Sequence, residues 1–319
     1  MYSIEGKTVY VPGHRGLVGS ALVRRLAREN CTILTAGREE LDLRRQGDVE
    51  TFLRNHRPDA MIIPAAKVGG IVANNTWPAT FIVENLQIET NLIASAHEVG
   101  VERLVFLGSS CVYPKFAEQP IREDSLLTGP LEETNQWYAV AKIAGVKMVQ
   151  AHRRQHGRSY ISAMPTNLYG PGDNFDPTAS HVLPALIRRT DEAKSRGDDA
   201  LTIWGSGTPR REFMHSDDCA DALVFLLKHY DDEAPVNVGV GADMSILELA
   251  ELVAEIVGYT GRIERDLSKP DGTPRKLLSV QKLTELGWSS SIALRDGIAQ
   301  TYKWYRENIA DVRGAAKVR

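Results

Sequence analysis

Apolar residues in the first half of the chain fall into two alternating kinds of run. The stretches KTVYVPG, TILTAG, AMIIPAA, RLVFLGSS and SYISAMPTNLYG are short and apolar on successive positions. Between them the apolar residues recur three or four apart, at 17–30, 46–57, 78–99 and 138–156. The short runs are apolar on both faces, as strands of a parallel sheet are when helices cover each side, and the longer runs read as amphipathic helices. Strand and helix alternating at this pitch predict βαβ units: an α/β fold with a doubly wound parallel sheet, of the Rossmann kind.

Beyond residue 171 the rhythm loosens. A helix near 180–195, a strand LTIWG, a turn GSGTPR and a strand REFMH come first. A helix at 217–230 and a strand VNVGVG then look like a return to the main sheet, and helices at 246–257 and 293–307 follow. The expected division is a Rossmann domain over 1–171, rejoined by about 214–242, and a smaller α/β C-terminal lobe from 172–213 and 243–319. There is no internal repeat and no low-complexity segment.

Composition narrows the class. With 319 residues, 43% of them hydrophobic and 25% charged, the chain can bury a large core. The 38 basic and 41 acidic side chains leave a formal charge of -3, which argues against nucleic acid as a partner. MYSIEGKTVYVPG lacks the charged and apolar regions of a signal peptide, and no uninterrupted apolar run is long enough to span a membrane. Cys31, Cys111 and Cys219 are odd in number and lack metal-ligand spacing. Free thiols, a cytoplasmic location and no metal site are expected.

GHRGLVG sets Gly13, Gly16 and Gly19 between the first strand and the first helix. Such a turn aims helix N-terminal amides at a phosphate, and a small third residue lets helix and strand pack closely. The spacing is GxxGxxG rather than GxGxxG, and the strand–turn–helix context makes it a dinucleotide site. An acidic residue usually ends the second strand of an NAD site, whereas TILTAG ends in Arg38 and the turn itself carries Arg15. Two guanidiniums suit a 2′-phosphate, so NADP(H) is the expected cofactor. Glu39 and Glu40 follow at once, which leaves Arg38 open to a second reading as a solvated loop charge.

YAVAK places Tyr138 and Lys142 four apart on one helical face, after the strand that ends in Ser109 and Ser110. A lysine ammonium beside a phenol should lower its pKa from about 10. Such a tyrosine can exchange a proton with a carbonyl oxygen that a serine hydroxyl polarises.

With GHRGLVG, SSCVYP and YAVAK in order, the chain resembles the extended short-chain dehydrogenase/reductase family over nearly its whole length. The blocks AAKVGGIVANNT, GSSCVYPK, MPTNLYGPGDNF and SKPDGTPRK are similar to the branch of that family that acts on GDP-4-keto-6-deoxy-D-mannose. That likeness implies epimerisation at C3 and C5 and NADPH-dependent reduction at C4, by a homodimer built through the helices at 78–99 and 138–156. It implies catalytic roles for Ser109, Cys111, Tyr138, Lys142 and His181. Cofactor contacts are implied for Gly13, His14, Arg15, Gly16, Leu17, Val18, Gly19, Arg38, Leu43, Leu107, Gly108, Ser109 and Ser110. Lys142, Pro165, Thr166, Asn167, Leu168 and His181 complete that set, and Arg189, Trp204, Arg211 and Asp271 are the implied substrate contacts.

A thiol near 8.5 and an imidazole near 6.5 bracket neutral pH, which suits the proton exchange that the resemblance assigns to Cys111 and His181. On residue type alone, Cys111 is more often a small core residue and His181 a helix-start residue. Arg189 and Arg211 are equally solvated arginines, Trp204 a core tryptophan and Asp271 a turn aspartate. Trp137 stands where many relatives have proline, a change expected to adjust packing rather than chemistry. The rival readings are a nucleotide-sugar 4-epimerase or 4,6-dehydratase, and a non-catalytic NADP-binding sensor.

Overall fold

The computed structural model describes residues 1–177, 179–269 and 271–310. Residues 311–319, assigned above to the C-terminal lobe, lie outside them. The first half runs β1 (Thr8–Tyr10), α1 (Leu17–Leu26), β2 (Thr32–Leu34), α2 (Gln46–His56), β3 (Ala60–Ile63), α3 (Ile71–Thr76), α4 (Pro78–Glu98) and β4 (Arg103–Leu107). It continues through α5 (Gln136–His156), β5 (Ser159–Pro165), β6 (Asn167–Tyr169), α6 (Val182–Arg196), β7 (Ala200–Trp204), β8 (Arg210–Arg211) and β9 (Phe213–His215). Then come α7 (Ser216–His229), β10 (Val236–Val238), β11 (Met244–Ser245) and α8 (Ile246–Val257). The chain closes with β12 (Arg262–Asp266), β13 (Arg275–Lys276), α9 (Gln281–Glu285) and α10 (Leu294–Glu307).

Six strands form one sheet in the order β10-β5-β4-β3-β1-β2, and every pairing in it is parallel. Alternation along the strands divides their side chains between two cores. Val9, Ile62, Val105 and Ile161 join α1 and α7 on one face, while Tyr10, Met61, Phe106 and Tyr160 join α2, α4 and α5 on the other. Both faces are therefore apolar, the arrangement that the short runs in the sequence predicted. The strand order reverses at β1, which opens a crevice at the carboxyl ends of the strands. A third core gathers Leu186 of α6, Ile203 of β7, Val253 of α8 and Ile298 of α10.

Two runs expected as single strands are each broken in two. SYISAMPTNLYG becomes β5 in the main sheet and β6, which pairs with β9 in a separate sheet. The break is at Thr166, whose hydroxyl, together with the Asn167 side-chain amide, donates to the carbonyl of Glu212 and pulls the chain off the sheet. REFMH breaks at Glu212 itself, whose side chain has no exposure to solvent. Helix α1 stops at Leu26 instead of running to residue 30. The strand β12 gave no signal in the sequence, because it pairs with β7 alone and three of its five residues are exposed.

Glu212 fastens the seam between the halves. Its Oε1 accepts from the amides of Val240 at 2.6 Å and Gly241 at 2.8 Å, and its Oε2 from Leu278 at 3.0 Å. A side chain at residue 239 would begin 2.3 Å from Oε1, so Gly239 lets the carboxylate approach. Beside it, buried Asn237 takes the Tyr113 hydroxyl at 2.6 Å and donates to the carbonyl of Ile121 at 2.9 Å. Glu212→Gln turns one acceptor into an amide facing a backbone N–H, and it should cost about 2–4 kcal/mol. Urea unfolding would read this as a lower midpoint at unchanged slope; a loss under about 0.5 kcal/mol would mean the three amides find other partners.

Candidate active site

The glycine turn is built around missing side chains. Gly13 has φ +78°, and a Cβ there would lie 3.0 Å from the backbone of Ala65, past the end of β3. A Cβ on Gly19 would fall 2.1 Å from the carbonyl oxygen of Gly13, so only glycine lets α1 settle against the turn. Gly16 caps α1 without a side chain, and no acid stands in the first turn of the helix. Its amides are left for an anion, and the Nδ1 of His14 is buried beside them without a partner. This cradle fits the pyrophosphate of a dinucleotide.

Arg15 is forked onto Glu39, at 3.0 and 2.6 Å, with both side chains largely exposed. Arg38 is also exposed, and its charge acts on Asp42. Of the other expected cofactor positions, Gly108 follows β4, Pro165 ends β5 with Thr166 after it, and Leu43 lies between β2 and α2. Gly108 donates its amide to Ala163 at 2.8 Å, Thr166 donates to Val238 at 3.0 Å, and the Leu43 carbonyl receives the Asn91 side chain at 2.9 Å.

At the end of β4 the chain turns into one turn of 3₁₀ helix, Ser110–Val112, whose cap is Ser109. The Ser109 hydroxyl accepts from the Cys111 amide at 3.2 Å and also bonds the phenol of Tyr138, in the first turn of α5. Burial pushes that phenol well above its ordinary range, the bond to Ser109 pulls it back in part, and the charges of Cys111 and Glu89 push it up. The lowering expected from Lys142 is absent. The Lys142 ammonium donates to the carbonyl of Leu107 at 2.9 Å and lies over the Phe106 ring at 4.6 Å, and the charge acting on it is Glu89. Its four-residue offset puts it on the tyrosine's face of the helix, but its head is turned into the sheet.

The sulfur of Cys111 has two partners that sequence reasoning passed over. The Asn135 side-chain amide donates to it at 3.4 Å and the Lys276 ammonium at 3.7 Å. Lys276 arrives from the opposite side of the crevice, because β13 pairs in register with β8 and sets Lys276 beside Arg211. Arg211 is half-buried, its pKa is lowered by desolvation, and its charge in turn meets Cys111 and Glu132. The thiol therefore faces two cations and an amide N–H, the groups that would meet negative charge on sulfur. No local pattern could have announced Lys276, since its place depends on the register of two two-residue strands.

His181 caps α6 without bonding an amide. The residue keeps an exposed edge, yet enough protein surrounds the ring that desolvation holds the imidazole below its ordinary range. Of the expected substrate contacts, Arg211 stands at the thiol, and the other three lie further along the lobe. Arg189 donates to the carbonyl of Thr202, Trp204 is 58% exposed with Lys269 over its ring at 5.7 Å, and Asp271 bonds the amide and hydroxyl of Ser206. Asp271 thus closes the GSG turn next to the exposed indole.

Residues 9–240 match the model of the NAD dependent epimerase/dehydratase family. The chain belongs to that family. Among curated proteins, the GDP-L-fucose synthase of Sinorhizobium fredii is 57% identical over 311 residues, which is 98% of this chain and 99% of that one. The GDP-L-fucose synthase of Escherichia coli is 50% identical over 316 residues, 96% of this chain and 98% of its own. Among solved structures, a GDP-L-fucose synthetase from Naegleria fowleri bound to NADP superposes with a TM-score of 0.90 at 28% identity, covering 98% of each chain. The matched span of this NAD dependent epimerase/dehydratase takes in both the glycine cradle and the turn that carries Ser109 and Cys111.

With the Lys276 ammonium 3.7 Å from the sulfur, Lys276→Met should slow iodoacetamide labelling of Cys111 at neutral pH by roughly three- to tenfold, since the thiolate is the reacting species. Mass spectrometry of the Cys111 peptide separates it from Cys31, which is half-buried, and Cys219, which is buried. Labelling at the parent rate would mean that the ammonium leaves the sulfur's charge alone.

Proposed function

We propose that the protein is a bifunctional epimerase-reductase that converts GDP-4-keto-6-deoxy-D-mannose to GDP-L-fucose. One observation carries this reading: Ser109, which acts on Tyr138 of α5, and Cys111, which faces Lys276, share one turn of chain at the end of β4, so groups suited to a ketone and a thiol beside a cation stand together. Reduction of a ketone needs only the first; inversion of carbons beside it needs an acid and a base as well.

The C4 ketone makes the protons on C3 and C5 acidic, because the electrons left behind rest on the C4 oxygen. Cys111 and His181 handle those protons. The imidazole is kept neutral by desolvation, so it can accept one, and the thiol is placed among groups that can face its anion. The Ser109 hydroxyl polarises the C4 oxygen. Tyr138, kept protonated by burial, is in the form required to give that oxygen a proton. Bound NADPH supplies the hydride for C4. Arg15 and Arg38 are read as the 2′-phosphate site that selects NADPH over NADH. Arg189, Trp204, Arg211 and Asp271 are read as holding the GDP end, a guanidinium pair for the diphosphate and an exposed indole for stacking. A cytoplasmic homodimer fits the reading; Val83 of α4 and Val140 of α5 are exposed on the helix pair that would form the contact, and among the described residues no helix is long and apolar enough to cross a membrane.

The two half-reactions should separate. Cys111→Ser is expected to bind NADPH normally while deuterium uptake at C3 and C5 in heavy water falls by about 10²-fold or more. Tyr138→Phe should take up deuterium without oxidising NADPH. Exchange at the parent rate in Cys111→Ser would return the thiol to the core and require another base.

Replacing Arg15 and Arg38 together with alanine should raise the Michaelis constant for NADPH roughly tenfold or more and barely change that for NADH. Equal effects on both would remove the 2′-phosphate from this site.

A further inference from the structure

Helix α4 buries a carboxylate that no step above uses. Glu89 is 1% exposed; no side chain bonds either of its oxygens, and the one backbone group acting on the carboxylate is the Gly145 amide. It points at α5 where that helix has Gly145, and a Cβ on Gly145 would come 3.0 Å from Glu89 Oε2 and 2.3 Å from the Phe106 ring. The glycine is the space into which the carboxylate fits. Lys142, three residues earlier on the same face of α5, is 2% exposed, and its ammonium lies over the same Phe106 ring. One carbonyl, that of Leu107, accepts from its three N–H groups.

The charges around this pocket are few. Among the described residues Lys142 is the one charged group acting on Glu89, and Glu89 the one acting on Lys142. From α5, Tyr138 also feels Glu89, with Cys111 behind the phenol. From β4 come only the Phe106 ring and the Leu107 carbonyl, and α2 sends no charge to it. A lone carboxylate or a lone ammonium here would be an uncompensated charge in an apolar interior, and each makes the other tolerable.

We infer that Glu89 is the buried counter-charge that keeps Lys142 an ammonium on the Leu107 carbonyl, two residues before Ser109, and so acts as a positioning residue for reduction that stands apart from the ring-proton exchange. The part concerning reduction rests on the proposed reductase site; the pairing does not. Burial pulls the lysine below its ordinary range and pushes Glu89 up to about 7, and the attraction between them opposes both shifts. Taking away the negative charge therefore lets Lys142 lose its proton at lower pH.

Two measurements on the full chain test this. In Glu89→Gln, the alkaline limb of NADPH oxidation with the keto-sugar should move toward acid by about one pH unit or more. Deuterium uptake at C3 and C5 should stay within about twofold of the parent, and Glu89→Asp, which keeps the charge, should restore most of the limb. The second readout is a double-mutant cycle in urea with Glu89→Gln and Lys142→Met. Lys142→Met should be the least stable of the set, and adding Glu89→Gln to it should recover stability. An additive cycle with an unmoved alkaline limb would overturn the inference. A coupled cycle in a chain that turned over no keto-sugar would uphold the pairing and sink the reductase reading instead.

Discussion

Three backbone amides, from Val240, Gly241 and Leu278, converge on the carboxylate of Glu212, which has no contact with solvent. Those amides belong to the loop after β10 and to the segment after β13, so one side chain holds together the edge of the main sheet and the small sheet of the lobe. The residue before Glu212 is Arg211, and two residues before Leu278 is Lys276. Fixing the carboxylate therefore fixes where both cations emerge, and they emerge at Cys111. The backbone of the same residue also receives Thr166 and Asn167, which separates β5 from β6 and sets β6 beside β9. Such a carboxylate is tolerable in the interior because its charge is spread over several N–H donors, each bond to an ionised group being worth about 1.5–3 kcal/mol.

Desolvation is the largest single influence on four ionisable groups, Tyr138, His181, Lys142 and Arg211. It raises Tyr138 and lowers His181, Lys142 and Arg211, in each case against the charged form. A shift of one unit is about 1.4 kcal/mol, comparable to a hydrogen bond, so an apolar surrounding can set protonation as firmly as a specific partner does. In the proposed reaction the phenol donates and the imidazole accepts, and for both the neutral form is the working form. Where a charge is wanted, the chain spends a second buried charge or a ring of amides to keep it.

Much of this was legible in the residues. The parallel sheet followed from runs apolar on both faces, and Gly13 and Gly19 stood where backbone approach forbids a side chain. Ser109, Tyr138 and Cys111 meet because they flank the end of one strand, which the order of elements already implied. What stayed hidden depends on contacts between distant segments. Lys276 reaches the thiol through a register of two residues, SYISAMPTNLYG divides because of a carbonyl 46 residues from Thr166, and β12 is polar because only β7 covers it. The Tyr138–Lys142 offset does set both residues on one face of α5, but a helix face does not say where a four-carbon stem sends its ammonium. Leu107 and Glu89 decide that, and neither is within reach of a local motif.

The forked pair between Arg15 and Glu39 carries a last consequence. A phosphate monoester arriving at Arg15 meets a guanidinium whose two nitrogens already hold a carboxylate in the same planar fashion. Capture is then an exchange of one oxyanion for another, and its yield is the small difference between two similar bonds plus whatever the ejected carboxylate gains from water. On the proposed reading of Arg15 as a 2′-phosphate contact, Glu39 is a tethered stand-in for the ligand. Such a carboxylate would screen the arginine from ions of the medium and compete for the same seat as a nucleotide departs.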